Sequence, residues 1–136
     1  MTLPCAAHEN YWLVPRTPRA PGRARALLRE QATAWGIGTQ AAEAAELLLS
    51  ELVTNAVRHA RAPQGRDLGI RLARYDGLLR VEVADAGPAV KLTPQVVEDT
   101  DERGRGLAIV AALAERWGCC PRLHGIGKAV WAEVKV

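Results

Sequence analysis

The chain lacks the marks of a secreted or membrane-spanning protein. No basic segment is followed by an apolar run, and nowhere do 18 apolar residues stand uninterrupted, so neither a leader peptide nor a spanning helix is expected. Cysteine is scarce. The three present are an odd number, with Cys119 and Cys120 adjacent, which is not a disulfide framework and fits a reducing cytoplasm. Several site motifs are also missing. There is no Gly-x-Ser-x-Gly nucleophile turn. The glycine pattern that starts at Gly104 breaks at Ile109 and follows a polar segment, which excludes a Rossmann fingerprint. Gly127-Lys128 has Arg122 where a P-loop needs glycine, and Ala129 where it needs Ser or Thr. Asp99-Thr100-Asp101 opens like a calcium loop, but its twelfth position is Val110. Cys119 and Cys120 with His124 lack zinc spacing, so the two cysteines read as buried or inert thiols, while His8, His59 and His124 read as structural. No recognition helix framed by a short turn is present, so direct nucleic-acid binding is not expected.

What remains is an ordinary globule. At 136 residues and 49% apolar content, the chain is long enough for one domain, 1–136, to bury a core without disulfides or metals. The net charge is +3 and the pI about 9.0. Arg16, Arg19, Arg23, Arg25 and Arg29 crowd the first thirty residues and read as a solvated helix face. The basic balance can still assist binding of an acidic protein or a nucleotide.

Tyr11 to Val14 is a short apolar run suited to an edge strand that ends at Pro15. A helix opening at Thr17 or Pro18 follows, with Ala24, Leu27, Leu28, Gln31, Ala34 and Trp35 near helical spacing and Gly36 to Gly38 as its stop. The clearest element is a helix from about Thr39 to Ala60, with the stripe Ala41, Ala45, Leu48, Leu49, Leu52, Val53, Ala56 and Val57. Asp67 to Tyr75 alternates as a strand, Asp76-Gly77 marks a hairpin, and Leu79, Val81 and Val83 continue into a partner strand ending at Asp85. Residues 86 to 103 carry no period and read as a long loop of the lid type. A third helix is expected from Gly104, then strands near Trp117 to His124 and Val130 to Val136. The order predicts an α/β fold, a two-layer sandwich with helices on one face of a mostly antiparallel sheet.

Three small constellations carry chemistry. Glu51 and Asn55 are one turn apart at the edge of the apolar stripe, where polar groups can face a crevice between helix and sheet. An amide oxygen suits Mg²⁺, and a carboxylate beside it can orient or deprotonate a hydroxyl. Taken alone, the same pair suits a solvated helix face. Asp85 can accept a hydrogen bond from an adenine amino group while Gly87 lets backbone lie against the base, though Asp-x-Gly is equally a plain turn. Gly104 and Gly106 stand at a helix start, where free N–H groups and the helix dipole attract phosphate, and Arg103 and Arg105 can add charge-assisted contacts. An isolated Gly-x-Gly says little.

Together, and in this order, these residues resemble the Bergerat-fold ATPases, the superfamily of gyrase, Hsp90, histidine kinases and MutL. Ser50-Glu51-Leu52-Val53-Thr54-Asn55-Ala56-Val57-Arg58-His59, Asp85-Ala86-Gly87 and Gly104-Arg105-Gly106-Leu107 are the most specific segments, supported by residues 113–118 and 127–131. Within that superfamily the chain is most similar to the anti-sigma factor serine/threonine kinases of the RsbW and SpoIIAB type. The resemblance implies ATP and Mg²⁺ as cofactors, Asn55 as the Mg²⁺ ligand and Glu51 as catalytic base. It further implies Asp85 and Gly87 at the adenine, and Arg103, Gly104, Arg105, Gly106 and Leu107 at the phosphates beside a lid over roughly 88–103. The implied partners are a sigma factor and a STAS-type antagonist whose Ser or Thr receives the γ-phosphate. The first helix and its strand are suited to a homodimer contact, although the sequence does not fix the oligomeric state. The family's second loop glycine is Ala89 here, and its late Gly-x-Thr has Ala129 for threonine, which by the resemblance removes a hydroxyl that helps hold the adenine end beside Asp85. A module that keeps the fold and binds a regulator without phosphorylating it is the alternative. Only residues 1 to 16 precede the first domain helix, which does not suggest a two-component sensor with its phospho-acceptor helix.

Overall fold

The computed structural model describes residues 6–59, 67–85, 113–121 and 128–136. The elements are β1 (His8–Pro15), α1 (Ala20–Ala34), α2 (Thr39–His59), β2 (Asp67–Tyr75), β3 (Leu78–Asp85), β4 (Arg116–Pro121) and β5 (Lys128–Lys135). The strands form one sheet in the order β1-β2-β3-β5-β4, and every neighbouring pair is antiparallel. β1 is an edge, as its short apolar run suggests, but it starts three residues earlier than Tyr11 because His8 to Asn10 find partners on β2. Its end suits an edge strand. Asn10 Oδ1 accepts the Tyr11 N–H at 3.2 Å, and Pro15 offers no N–H at all.

α1 begins at Ala20, later than Thr17 or Pro18. The residues before it close a turn in which Thr17 accepts from Arg19 N–H through Oγ1 and from Ala20 N–H through its carbonyl. Proline in the first helical turn needs no donor there. At the other end, Gly36 has φ 66°, Gly36 N–H reaches the Thr33 carbonyl and Ile37 N–H reaches the Ala32 carbonyl. That is a Schellman stop, and a left-handed residue there favours glycine. The buried stripe of α1 is Ala20, Ala24, Leu28 and Ala32, one every four residues, whereas Ala34 is exposed. Leu27 and Trp35 pack against its margin. α2 buries Ala45, Leu48, Leu49, Leu52, Val53 and Ala56, while Ala41 and Val57 flank them half-buried.

The opposing layer is set by register. Val14 pairs with Leu68, Ile70 with Val83, Leu72 with Val81, Leu79 with Val134 and Val81 with Ala132, so the buried aliphatic residues share one face. Both described helices bury their stripes in that cluster, which makes the two-layer α/β sandwich. Polar side chains tie the layers together at the edge. Arg74 donates to the Trp35 carbonyl at the end of α1, and His8 stacks on the Trp35 ring at 5.7 Å between centroids. No helix among the described residues is long and apolar enough to cross a membrane.

The other face of the sheet carries long polar side chains in cross-strand pairs. Arg71 bonds Glu9 at 2.7 Å and Glu82 at 3.2 Å, and Arg116 bonds Glu133, which is only 3% exposed. The hydrogen bond and charge of Arg71 hold the Glu9 carboxyl below its ordinary value. The Arg80 guanidinium lies 4.2 Å from the centre of the Trp131 ring, and that ring lies over Gly118 on β4. A Cβ at Gly118 would stand 2.9 Å from the indole. Gly118→Ala is therefore expected to push Trp131 from under Arg80 and cost about 1–3 kcal/mol, the usual penalty for overpacking. Thermal unfolding should register the loss as a lower Tm, with an unchanged Tm refuting the tight fit.

Candidate nucleotide site

The site begins on α2. Four residues of α-helix advance about 6 Å and turn 40° past a full circle, so Glu51 and Asn55 stand one above the other on the same side. Leu48, Leu52 and Ala56, which bracket them in sequence, are buried, and Glu51 and Asn55 are half-buried beside that stripe. α2 packs on β3 and β5, so the two polar residues border the junction of helix and sheet. Among the described residues neither has a hydrogen-bond or ion-pair partner. A half-buried carboxylate and amide left unpaired by the described residues are positioned for water or a ligand.

The sheet contributes the end of β3. Asp85 is its last residue and stands opposite Lys128 on β5, while Ala84 stands opposite Ala129. Position 85 is in phase with Leu79, Val81 and Val83, the residues of the helix-covered face. Ala129 is out of phase with Val130, Ala132 and Val134, which line that face, and is 5% exposed outside the aliphatic cluster. Ala129 therefore does not stand beside Asp85, where the sequence resemblance placed the missing hydroxyl. The strand position paired with Asp85 is 128, and Ala129 belongs to the far side of the sheet. Gly87, Arg103, Gly104, Arg105, Gly106 and Leu107 lie outside the described residues, as do Ala89 and the expected lid of 88–103.

The donor set can be tested against a metal. Among the described residues no group of three or more His, Cys, Asp or Glu is arranged to hold an ion, so a closed structural site is absent there. One amide oxygen beside one carboxylate fits Mg²⁺, which keeps several waters and takes phosphate oxygens for the rest of its octahedron.

The model of the histidine kinase-like ATPase domain matches residues 14–132, nearly the whole chain. The chain belongs to the histidine kinase-like ATPase domain family. Membership in an ATPase family implies that the nucleotide is ATP. An uncharacterized protein of Streptomyces coelicolor is 40% identical to this family member over 72 residues, covering 52% of this chain and 67% of the relative. Among solved structures, the RsbU and RsbW domains of a Mycobacterium tuberculosis protein superpose with a TM-score of 0.71 at 22% identity. That match covers 95% of this chain and 32% of the other, so the ATPase domain spans about a third of the larger protein's length. At that identity the likeness establishes the fold, a Bergerat-type α/β arrangement.

Sequence reasoning did not single out Arg25. Its guanidinium donates to Ser50 Oγ at 2.9 Å, immediately before Glu51 in the chain. Arg29 likewise bonds Glu46 at 2.7 Å. Two of the arginines expected on a solvated face therefore join α1 to α2.

Proposed function

We propose that the chain is a single ATP-binding domain acting as an anti-sigma factor serine/threonine kinase, in the cytoplasm, with ATP and Mg²⁺ as cofactors. The observation that carries the reading is the half-buried Glu51 and Asn55, without a partner among the described residues, on the helix-sheet border of an ATPase-family fold. In this reading Asn55 ligates Mg²⁺ and Glu51 is the catalytic base that takes the proton of the acceptor hydroxyl. Asp85 receives the adenine amino group above Gly87. Gly104, Gly106 and Leu107 hold phosphates at a helix start, with Arg103 and Arg105 drawing off charge. The γ-phosphate passes to a Ser or Thr of a STAS-type antagonist, and the protein otherwise holds a sigma factor, as a homodimer. Positioning and charge neutralisation supply most of the rate in phosphoryl transfer. The RsbW-domain fold neighbour is in keeping with this class, and the family membership supports the nucleotide.

Glu51→Ala tests the division of labour. ATP and Mg²⁺ binding should persist, while phosphotransfer to the antagonist falls by about 10²–10⁴-fold, the usual contribution of a general base. Calorimetry measures the first and transfer of labelled phosphate the second. Undiminished transfer in the variant would remove the base from Glu51. If the unaltered protein binds ATP yet transfers nothing to any captured antagonist, it is a binding module instead.

A further inference from the structure

Among the described residues two side-chain bonds join α1 to α2, and they step in register. Arg25 Nη1 donates to Ser50 Oγ at 2.9 Å, and Arg29 Nη1 to Glu46 Oε1 at 2.7 Å. Four residues forward on α1 correspond to four residues back on α2, one turn each, so the helices run antiparallel at a fixed offset. The two bonds differ in kind. Arg29 is 60% exposed, and an ion pair in that setting is screened and weak. Arg25 and Ser50 meet part-buried, and the acceptor is a neutral hydroxyl. That contact constrains geometry more than it balances charge.

Ser50 directly precedes Glu51, and Asn55 is the next residue on that edge of the helix. One residue turns a helix by 100°, so a modest rotation of α2 about its axis would carry both polar groups into the aliphatic seam or out to solvent. The stripe of alanine, leucine and valine fixes that rotation coarsely, because apolar contact has no direction. A hydrogen bond does have direction. We infer that Arg25 is a positioning residue which, through Ser50, sets the rotation of α2 and thereby where Glu51 and Asn55 present their polar atoms. This rests on the reading of that pair as the Mg²⁺ and ATP site.

The test compares Arg25→Gln, Ser50→Ala, their double variant, Arg25→Lys and Arg29→Gln in the full chain, each first confirmed folded by its melting curve. One readout is the side-chain amide resonance pair of Asn55 in nitrogen-labelled protein without nucleotide. The other is affinity for ATP with Mg²⁺. Arg25→Gln and Ser50→Ala should each move the Asn55 resonances and weaken binding about tenfold, the low end of what a metal site loses with a supporting partner. The double variant should be no worse than either single one, and Arg25→Lys should recover part of the loss. Arg29→Gln, which breaks the neighbouring bond of the same seam, should leave both readouts in place. Equal effects from Arg25→Gln and Arg29→Gln, or additive losses in the double variant, would overturn the positioning role. If the unaltered protein binds no ATP, the pocket reading fails by itself, and the Asn55 resonances still decide whether Arg25 orients that edge of α2.

Discussion

Asn55→Ala is expected to abolish Mg²⁺-dependent ATP binding while leaving the fold intact. Asn55 is half-buried and, among the described residues, bonds nothing, so its amide is not holding the protein together. Truncation of such a residue belongs with substitutions that change stability by about 0.5 kcal/mol or less. Its proposed partner is a cation, and losing one contact to a charged group costs about 1.5–3 kcal/mol, or roughly 10–100-fold in affinity. Calorimetric titrations with and without Mg²⁺ separate the cases. The variant should lose the Mg²⁺-dependent part of the affinity and approach the unaltered protein measured with chelator. Asn55→Asp, which keeps an oxygen at the same place, should lose less. An alanine variant with undiminished Mg²⁺-dependent binding would take the metal away from α2.

The largest effect on stability is expected about two turns earlier on the same helix. Leu48 has no exposed surface and lies in the cluster that joins α2 to the sheet. Leucine-to-alanine changes at such places cost about 2.7–5 kcal/mol, the sum of lost transfer energy and the cavity left behind. Against a total of about 5–15 kcal/mol for a domain, that is a large share. The melting temperature should fall by about 10 °C or more, and the denaturation midpoint should drop without a change in slope. Leu47 is the internal control. It is 44% exposed on the same helix, and Leu47→Ala should change stability by about 0.5 kcal/mol or less. Similar losses at Leu47 and Leu48 would mean that the rotation of α2 is not the one described.

That rotation was legible in the sequence because a helix of 21 residues repeats its apolar period several times. The stripe from Ala45 to Ala56 therefore emerged almost unaltered, and Glu51 and Asn55 came with it. α1 was harder to read. Alanine is apolar in the pattern but costs little to expose, so Ala32 and Ala34 were interchangeable until the Gly36 stop and the packing decided between them. Arg25 and Arg29 looked like solvent-facing charge because their partners lie 25 and 17 residues away, on a helix whose offset no local pattern encodes. The strands were visible through alternation and the Asp76-Gly77 turn, yet alternation is silent about which strand lies next to which. Whether position 128 or 129 shares a face with Asp85 depends on the pairing of β3 with β5, a long-range choice. The expected place of Ala129 beside Asp85 failed at that link. Gly87 and the residues from Arg103 to Leu107 stand as a sequence reading only.

The placement of β5 has a consequence in time. It is the last of the described strands along the chain, yet it lies inside the sheet, between β3 and β4. Among the described residues β4 has no other neighbour in the sheet, so during synthesis it waits unpaired until the strand after it is made. Chain elongation adds about 5–20 residues per second, which leaves Arg116–Pro121 without a ladder for an interval on the order of a second. Antiparallel pairing of β5 with β3 then closes the sheet in one late, non-local step, the kind of contact that slows folding. In this fold the gap between two strands already made is filled by the strand made after both of them.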